Sequence, residues 1–266
     1  MQIAFLVLLG VLGACFGSFL CCQARRMRLK EKKKKPLGKR SICMSCGYQL
    51  KWYDNLPIFS WVMLRGRCRK CKKKIGNAEI LAEIGTMIAF VMIGASFNVM
   101  TATAVQWGIL VFSLILMVVL GFLAIYDGLY GELPTVFLIL AIAIAILILG
   151  LKEWSLVASD GFSFDLIWRP LLSVVIVAGP YLLLYLISRG KWVGDGDWLL
   201  GIAIALVLFE PFLALVALCV ANLLACIVMY PSVIKKKNHK IYFGPFMVIG
   251  FVIVFSLSDI LLSLLN

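Results

Sequence analysis

Eight apolar stretches dominate this chain, and they leave it few ways to fold. They lie near 3–22, 80–98, 105–126, 133–151, 166–188, 197–209, 211–230 and 242–265. Most approach the roughly 20 residues that an α-helix needs to cross hydrocarbon. The sixth is short, and only Glu210-Pro211, which reads as a tight turn, parts it from the seventh. Hydrophobic residues make up 63% of the 266, and the mean hydropathy is +1.02. Soluble domains hold about 45–50% apolar residues. The expected fold is an all-α polytopic membrane protein with about eight transmembrane helices. A first helix covers 1–22, a polar loop domain 23–78, and the transmembrane core 79–266. The half-symmetry of many transporters is not evident.

The charges orient these spans. There are 26 Lys and Arg against 13 Asp and Glu, a formal charge of +13. In a soluble protein such an excess suggests nucleic acid. Here its placement argues for topology, and no nucleic-acid partner is expected. Eighteen of the basic residues fall within 23–78, two more are Arg189 and Lys191, and four are Lys235, Lys236, Lys237 and Lys240. With eight spans these three loops share one side, and the two exceptions, Lys152 and Arg169, fall near the other. The positive-inside rule makes the basic side cytoplasmic and puts both termini outside. The first run reads as a retained span, because its charges follow it and no small-x-small cleavage site stands out. The Lys32–Lys35 run reads as a solvated stretch near anionic headgroups.

Four of the nine cysteines form Cys43-x-x-Cys46 and Cys68-x-x-Cys71, with 21 residues between the pairs. Each knuckle offers two thiolates to one tetrahedral ion, at a spacing close to that of zinc ribbons. A cytoplasmic loop keeps thiols reduced, which favours metal over disulfides. Four protein ligands leave no open position for water, so the expected zinc is structural. A loop this small builds little core, and a metal staple makes physical sense there. Cys15, Cys21, Cys22, Cys219 and Cys226 read as packing residues in or beside apolar runs.

Carboxylates at the edge of hydrocarbon are costly and are candidates for function. Gly194-Asp195-Gly196-Asp197 opens one apolar run, and Asp127 ends another. The topology places Asp127 and Asp197 at matching depth on the cytoplasmic side, so they can form a dyad acting on membrane-inserted substrates. Two close carboxylates share a proton; the ionised one activates water and the protonated one polarises a carbonyl. Gly194 and Gly196 allow a sharp turn and close approach. The plainer alternative is helix capping. It suits Asp197, which starts its helix, and does not suit Asp127, which ends one. Asp195 reads as auxiliary and Glu132 as a loop carboxylate. Glu79 and Glu83 are favourably placed at the start of the second span, and Glu153, Asp160 and Asp165 read as solvated loop residues. The lone histidine, His239, sits in a Lys-rich loop. That excludes a two-histidine zinc protease, and Ser18 has no evident base.

These motifs together resemble the type IV prepilin peptidases. The resemblance runs over nearly the whole chain: Gly17-Ser18-Phe19-Leu20, then Cys43-Met44-Ser45-Cys46, then Trp52-Tyr53-Asp54-Asn55-Leu56-Pro57-Ile58, Ser60-Trp61, Leu64-Arg65-Gly66-Arg67-Cys68 and Cys71. Gly194-Asp195-Gly196-Asp197 matches the Gly-x-Gly-Asp signature shared with presenilin-like proteases. Asp127, seven residues before Pro134, matches the family's other catalytic aspartate. The resemblance implies an intramembrane aspartyl endopeptidase of the bacterial inner membrane. It would cut basic leaders from prepilins and pseudopilins on the cytoplasmic face. Many such enzymes also N-methylate the new N-terminus with S-adenosylmethionine. The chain departs from the family where Asn77-Ala78-Glu79 stands near the glutamate matched by Glu83, at Leu199 in place of a lysine, and at Thr135 after Pro134.

Two other classes compete. An ion-coupled transporter requires acids near the bilayer midplane and broken helices there. A non-catalytic, zinc-bearing assembly factor of a pilus or secretion apparatus tolerates loss of both aspartates.

Overall fold

A computed structural model describes residues 1–31, 41–43, 45–190, 192–234 and 242–264. The Lys32–Lys35 run, Met44, Lys191, Lys235, Lys236, Lys237, His239 and Lys240 lie outside the described residues. Among those described there is no strand, only two isolated antiparallel bridges, Ile42 with Gln49 and Arg67 with Lys74. The helices are α1 (Gln2–Glu31), α2 (Phe59–Met63), α3 (Ala78–Ala95), α4 (Ala104–Tyr130), α5 (Thr135–Asp160), α6 (Asp165–Ser188), α7 (Asp195–Leu208), α8 (Pro211–Ile234), α9 (Gly244–Ser256) and α10 (Ser258–Ser263). A short 3-10 turn covers Trp52–Asn55.

Among the described residues, each of the eight apolar runs is largely helical. Six are long and apolar enough to cross a membrane: α1, α3, α4, α5, α6 and α8. The other two, α7 and α9, are shorter, at 14 and 13 residues. At about 1.5 Å per residue each reaches only about 20 Å. The eighth run breaks at Leu257, where α9 gives way to α10. One expectation is corrected. Glu153 and Asp160 are not loop residues, because α5 runs on through Asp160, and Asp165 opens α6 and pairs with Arg169 at 3.4 Å.

The chain divides into two compact units, Met1–Val91 and Met92–Asn266. In the first, small residues on α1 let α3 approach closely. A Cβ on Gly13 would stand 2.6 Å from the Thr86 carbonyl oxygen, and one on Gly17 2.5 Å from that of Ala82. The Thr86 hydroxyl lies 2.7 Å from the Gly13 carbonyl and donates across the interface. Close approach of this kind replaces the hydrophobic drive that hydrocarbon surroundings remove. Arg25 pairs with Glu79.

In the second unit the α7–α8 turn needs special support. Phe209 has φ +67°, a conformation that costs a non-glycine residue energy. The carbonyls at the end of α7 also lack helical partners. Three residues supply what is missing. Lys152 Nζ donates to the Val207 carbonyl at 2.6 Å, and the Ser173 hydroxyl to the Phe209 carbonyl at 2.9 Å. Arg169 donates to Glu210 at 2.6 Å. Lys152 and Arg169, the two basic residues outside the basic loops, thus bind this turn together.

Candidate active site and candidate metal centre

Asp127 lies in the last turn of α4 and is 5% exposed. At the end of its own helix an anion meets an unfavourable dipole. Its side chain escapes by turning to a different helix: Oδ2 accepts from the Gly244 N–H at 2.9 Å, at the N-terminus of α9. Gly244 and Pro245 start that helix, and proline suits a first turn because no N–H is missed there. A Cβ on Gly244 would sit 2.8 Å from Asp127 Oδ2, so any larger residue there would displace the carboxylate. Pro245 also lies 3.6 Å from where a Cβ of Gly128 would be. Capping therefore fits Asp127 after all, across two helices rather than within one, which reverses the sequence expectation. Gly244 is a site residue that the sequence reading missed. A Gly-Pro pair just before an apolar run was the available signal.

Asp197 is 7% exposed and stands at the third position of α7. Its Oδ2 accepts from the Gly194 N–H at 3.1 Å, and Gly194 is the N-cap residue. Gly196 faces the α4–α5 connection: a Cβ there would fall 2.6 Å from Leu133 Cβ. Pro134, the N-cap residue of α5, follows directly, and its carbonyl accepts from Phe137 N at 3.0 Å. The Gly-x-Gly-Asp loop and the Asp127–Pro134 segment thus pack against each other.

Asp127 lies within electrostatic reach of Asp197. In each, one oxygen is held by a backbone N–H and the other takes no hydrogen bond among the described residues. Tyr181 is also within electrostatic reach of Asp197. Its hydroxyl accepts from Asn222 Nδ2 at 3.3 Å, and its ring meets that of Phe243 at 6.0 Å, next to Gly244.

In the first unit, the two knuckles fold alike. Cys43 N donates to the Tyr48 carbonyl at 2.8 Å and Cys68 N to the Lys73 carbonyl at 2.9 Å. Gly47 and Lys72, each four residues after the first cysteine of its pair, both take positive φ, +69° and +59°. The Sγ atoms of Cys43, Cys46, Cys68 and Cys71 all lie within 4.8 Å of one another. Cys43–Cys71 and Cys46–Cys68 are 3.9 and 4.0 Å apart. Thiolates about 2.3 Å from a tetrahedral zinc stand about 3.8 Å from each other, so the cluster fits a metal ion as it stands. Burial pushes the Cys43 thiol up, but backbone N–H groups of Ser45 and Cys46 and the neighbouring thiols outweigh it and bring the pKa to about 6.

Glu83 behaves unlike a simple helix-start acid. It is 7% exposed and its Oε2 accepts from the Ile58 N–H at 2.7 Å, tying the loop to α3.

Residues 11–97 match the Bacterial Peptidase A24 N-terminal domain. That match contains the cysteine cluster and ends before Asp127. A Prepilin leader peptidase/N-methyltransferase of Myxococcus xanthus is 43% identical over 86 residues, which is 32% of this chain and 25% of the relative. Its namesake in Vibrio cholerae is 31% identical over 93 residues, 33% of this chain and 37% of the relative. These alignments cover well under half of those relatives' length. A Type 4 prepilin-like proteins leader peptide-processing enzyme of Escherichia coli is 27% identical over 218 residues, 79% of this chain and 73% of the relative. No solved structure matches. The chain is thus similar to a bacterial peptidase N-terminal domain over residues 11–97, and to prepilin leader peptidases over up to 79% of its length.

Proposed function

We propose that this chain is a multi-pass aspartyl endopeptidase that removes the leader from prepilin-like or pseudopilin-like proteins beside the membrane. One observation carries the reading. Two buried aspartates on different helices are each held at one oxygen by a backbone N–H at a helix start, and the Gly-x-Gly-Asp loop packs on the Asp127–Pro134 segment. The relatives' names supply the substrate class.

In this reading the uncommitted oxygens face the chemistry. The ionised aspartate takes a proton from water as that water attacks the scissile carbonyl. The protonated one donates to the carbonyl oxygen as it becomes an oxyanion. Which aspartate holds the proton is a property of the pair. The Gly244 and Gly194 N–H groups hold the other oxygens, and so fix both carboxylates in position. The leader junction enters locally extended, since helical carbonyls are already hydrogen-bonded. The basic loops make the cytoplasmic face the side of cleavage. The four cysteines hold a structural zinc that staples the loop between α1 and α3.

A second activity rests on the N-methyltransferase half of the relatives' names. On that reading the chain also transfers a methyl group from S-adenosylmethionine to the freed N-terminal amine.

The test is cleavage of a prepilin by the purified full chain, followed by mass analysis of the new N-terminus. Asp127→Asn and Asp197→Asn are expected to lower kcat at least about 1,000-fold while leaving helix content and thermal midpoint unchanged, as loss of a triad member does. Asp195→Asn is expected to stay within a few-fold of wild type. Cleavage surviving in either dyad variant removes the mechanism and brings the assembly-factor reading forward. A mass increase of one methyl group, dependent on S-adenosylmethionine, decides the second activity.

A further inference from the structure

The loop of the first unit carries an apolar face that is exposed among the described residues. Trp52, Phe59, Val62 and Met63 are 77%, 60%, 58% and 68% exposed. Phe59, Val62 and Met63 stand at i, i+3 and i+4 of α2, so they share one side of that turn and a half of helix. The remaining bulky side chain of α2, Trp61, turns back over Gly66, where a Cβ would meet its ring at 2.9 Å. Exposed large apolar groups in a cluster mark a contact surface.

Two further observations say what covers it. The first is depth. Ile58, the residue just before α2, is pinned by its N–H to Glu83 of α3 and holds φ +61°. A β-branched residue at positive φ is an outlier that persists only where its surroundings enforce it. Glu83 is five residues into α3, about 7 Å along a helix that is apolar enough to span a membrane. The start of α2 is thus held beside the first turns of a helix long and apolar enough to cross a membrane, the level at which an interfacial group would meet headgroups.

The second observation is charge. From 41 to 78 the chain has eight Lys and Arg and a single acid, Asp54, which is already bonded to Arg69 at 2.7 Å. Lys51, Arg65, Arg67, Lys70, Lys72 and Lys73 are exposed. Exposed basic residues in the same loop as Trp52, Phe59, Val62 and Met63 match an anionic lipid surface, which attracts each nearby Lys or Arg and accepts apolar side chains to a depth of about 5–10 Å. A basic prepilin leader would be repelled by the same charge.

We infer that Trp52 and α2 form an interfacial foot that docks the cysteine-cluster loop onto anionic phospholipid. The foot stands on membrane embedding alone and holds whether or not Asp127 and Asp197 cleave prepilins.

The full chain is placed in nanodiscs of phosphatidylcholine alone or with about one third phosphatidylglycerol. Phe59→p-benzoylphenylalanine and Met63→p-benzoylphenylalanine are irradiated with a prepilin present, and adducts are read by mass. Phospholipid adducts are expected at both positions, at least threefold more abundant with phosphatidylglycerol. Lys70→Gln combined with Lys73→Gln is expected to halve that preference. Hydrogen exchange of peptide 52–64 in the unsubstituted chain is expected to slow at least threefold when phosphatidylglycerol is added. Adducts only to prepilin make the face a substrate-docking surface instead. No lipid adduct, or equal yield and exchange in both lipids, overturns the foot.

Discussion

At the scale of single residues, the site depends on glycines as much as on acids. Asp127 gains its place through Gly244, because any larger residue would crowd the carboxylate that the backbone N–H must reach. Gly244→Ala is expected to lower kcat for cleavage by about 10- to 100-fold, the scale of a misplacement near 1 Å. Alanine is a better helix former than glycine, so unchanged or raised thermal stability alongside that loss would separate a displaced carboxylate from a weakened fold. Full activity in Gly244→Ala would show that the Asp127 contact is dispensable. Asp127 and Asp197 stood out in the sequence because charge at the end of an apolar run is rare. Gly244 did not, because its role exists only where α4 and α9 meet, 117 residues apart in the chain.

At the scale of elements, two short pieces carry more constraint than the long spans. The first is α7, which starts at the Gly-x-Gly-Asp loop and ends in a strained turn held by Lys152, Ser173 and Arg169. Lys152→Met leaves the Val207 carbonyl without this donor and is expected to cost about 1–3 kcal/mol, the penalty of an unmet buried acceptor. Denaturation of the solubilised protein measures it, and Lys152→Arg is expected to recover part of the loss. The second is the pair of cysteine knuckles. Metal analysis is expected to find one zinc per wild-type chain and much less in Cys68→Ser. Chelation is expected to open the loop to protease, since metal binding in small loops is folding free energy. The cysteine spacing made this pair legible in advance. The equivalence of Gly47 and Lys72 was not legible, because lysine gives no signal for positive φ.

At the scale of the whole molecule, helix contact follows small side chains. Gly17→Leu is expected to force α1 from α3, because even a Cβ there overlaps Ala82 and Glu83 backbone. The measurement is the yield of membrane-inserted protein and the protease resistance of residues 1–91, both expected to fall severalfold. By itself, the sequence determined the helices, through apolar runs whose length is a property of each segment alone. It likewise marked out the four clustered cysteines and the two candidate acids, through local spacing and the rarity of charge beside hydrocarbon. Only the tertiary structure decided what those groups touch. It turned Asp127 to the N-terminus of α9, put Glu83 on Ile58, and gave Lys152 and Arg169 the α7–α8 turn. The physical reason is common to all three: a buried polar group must find a partner, and the partner it finds is the one that packing of distant segments brings within about 3 Å.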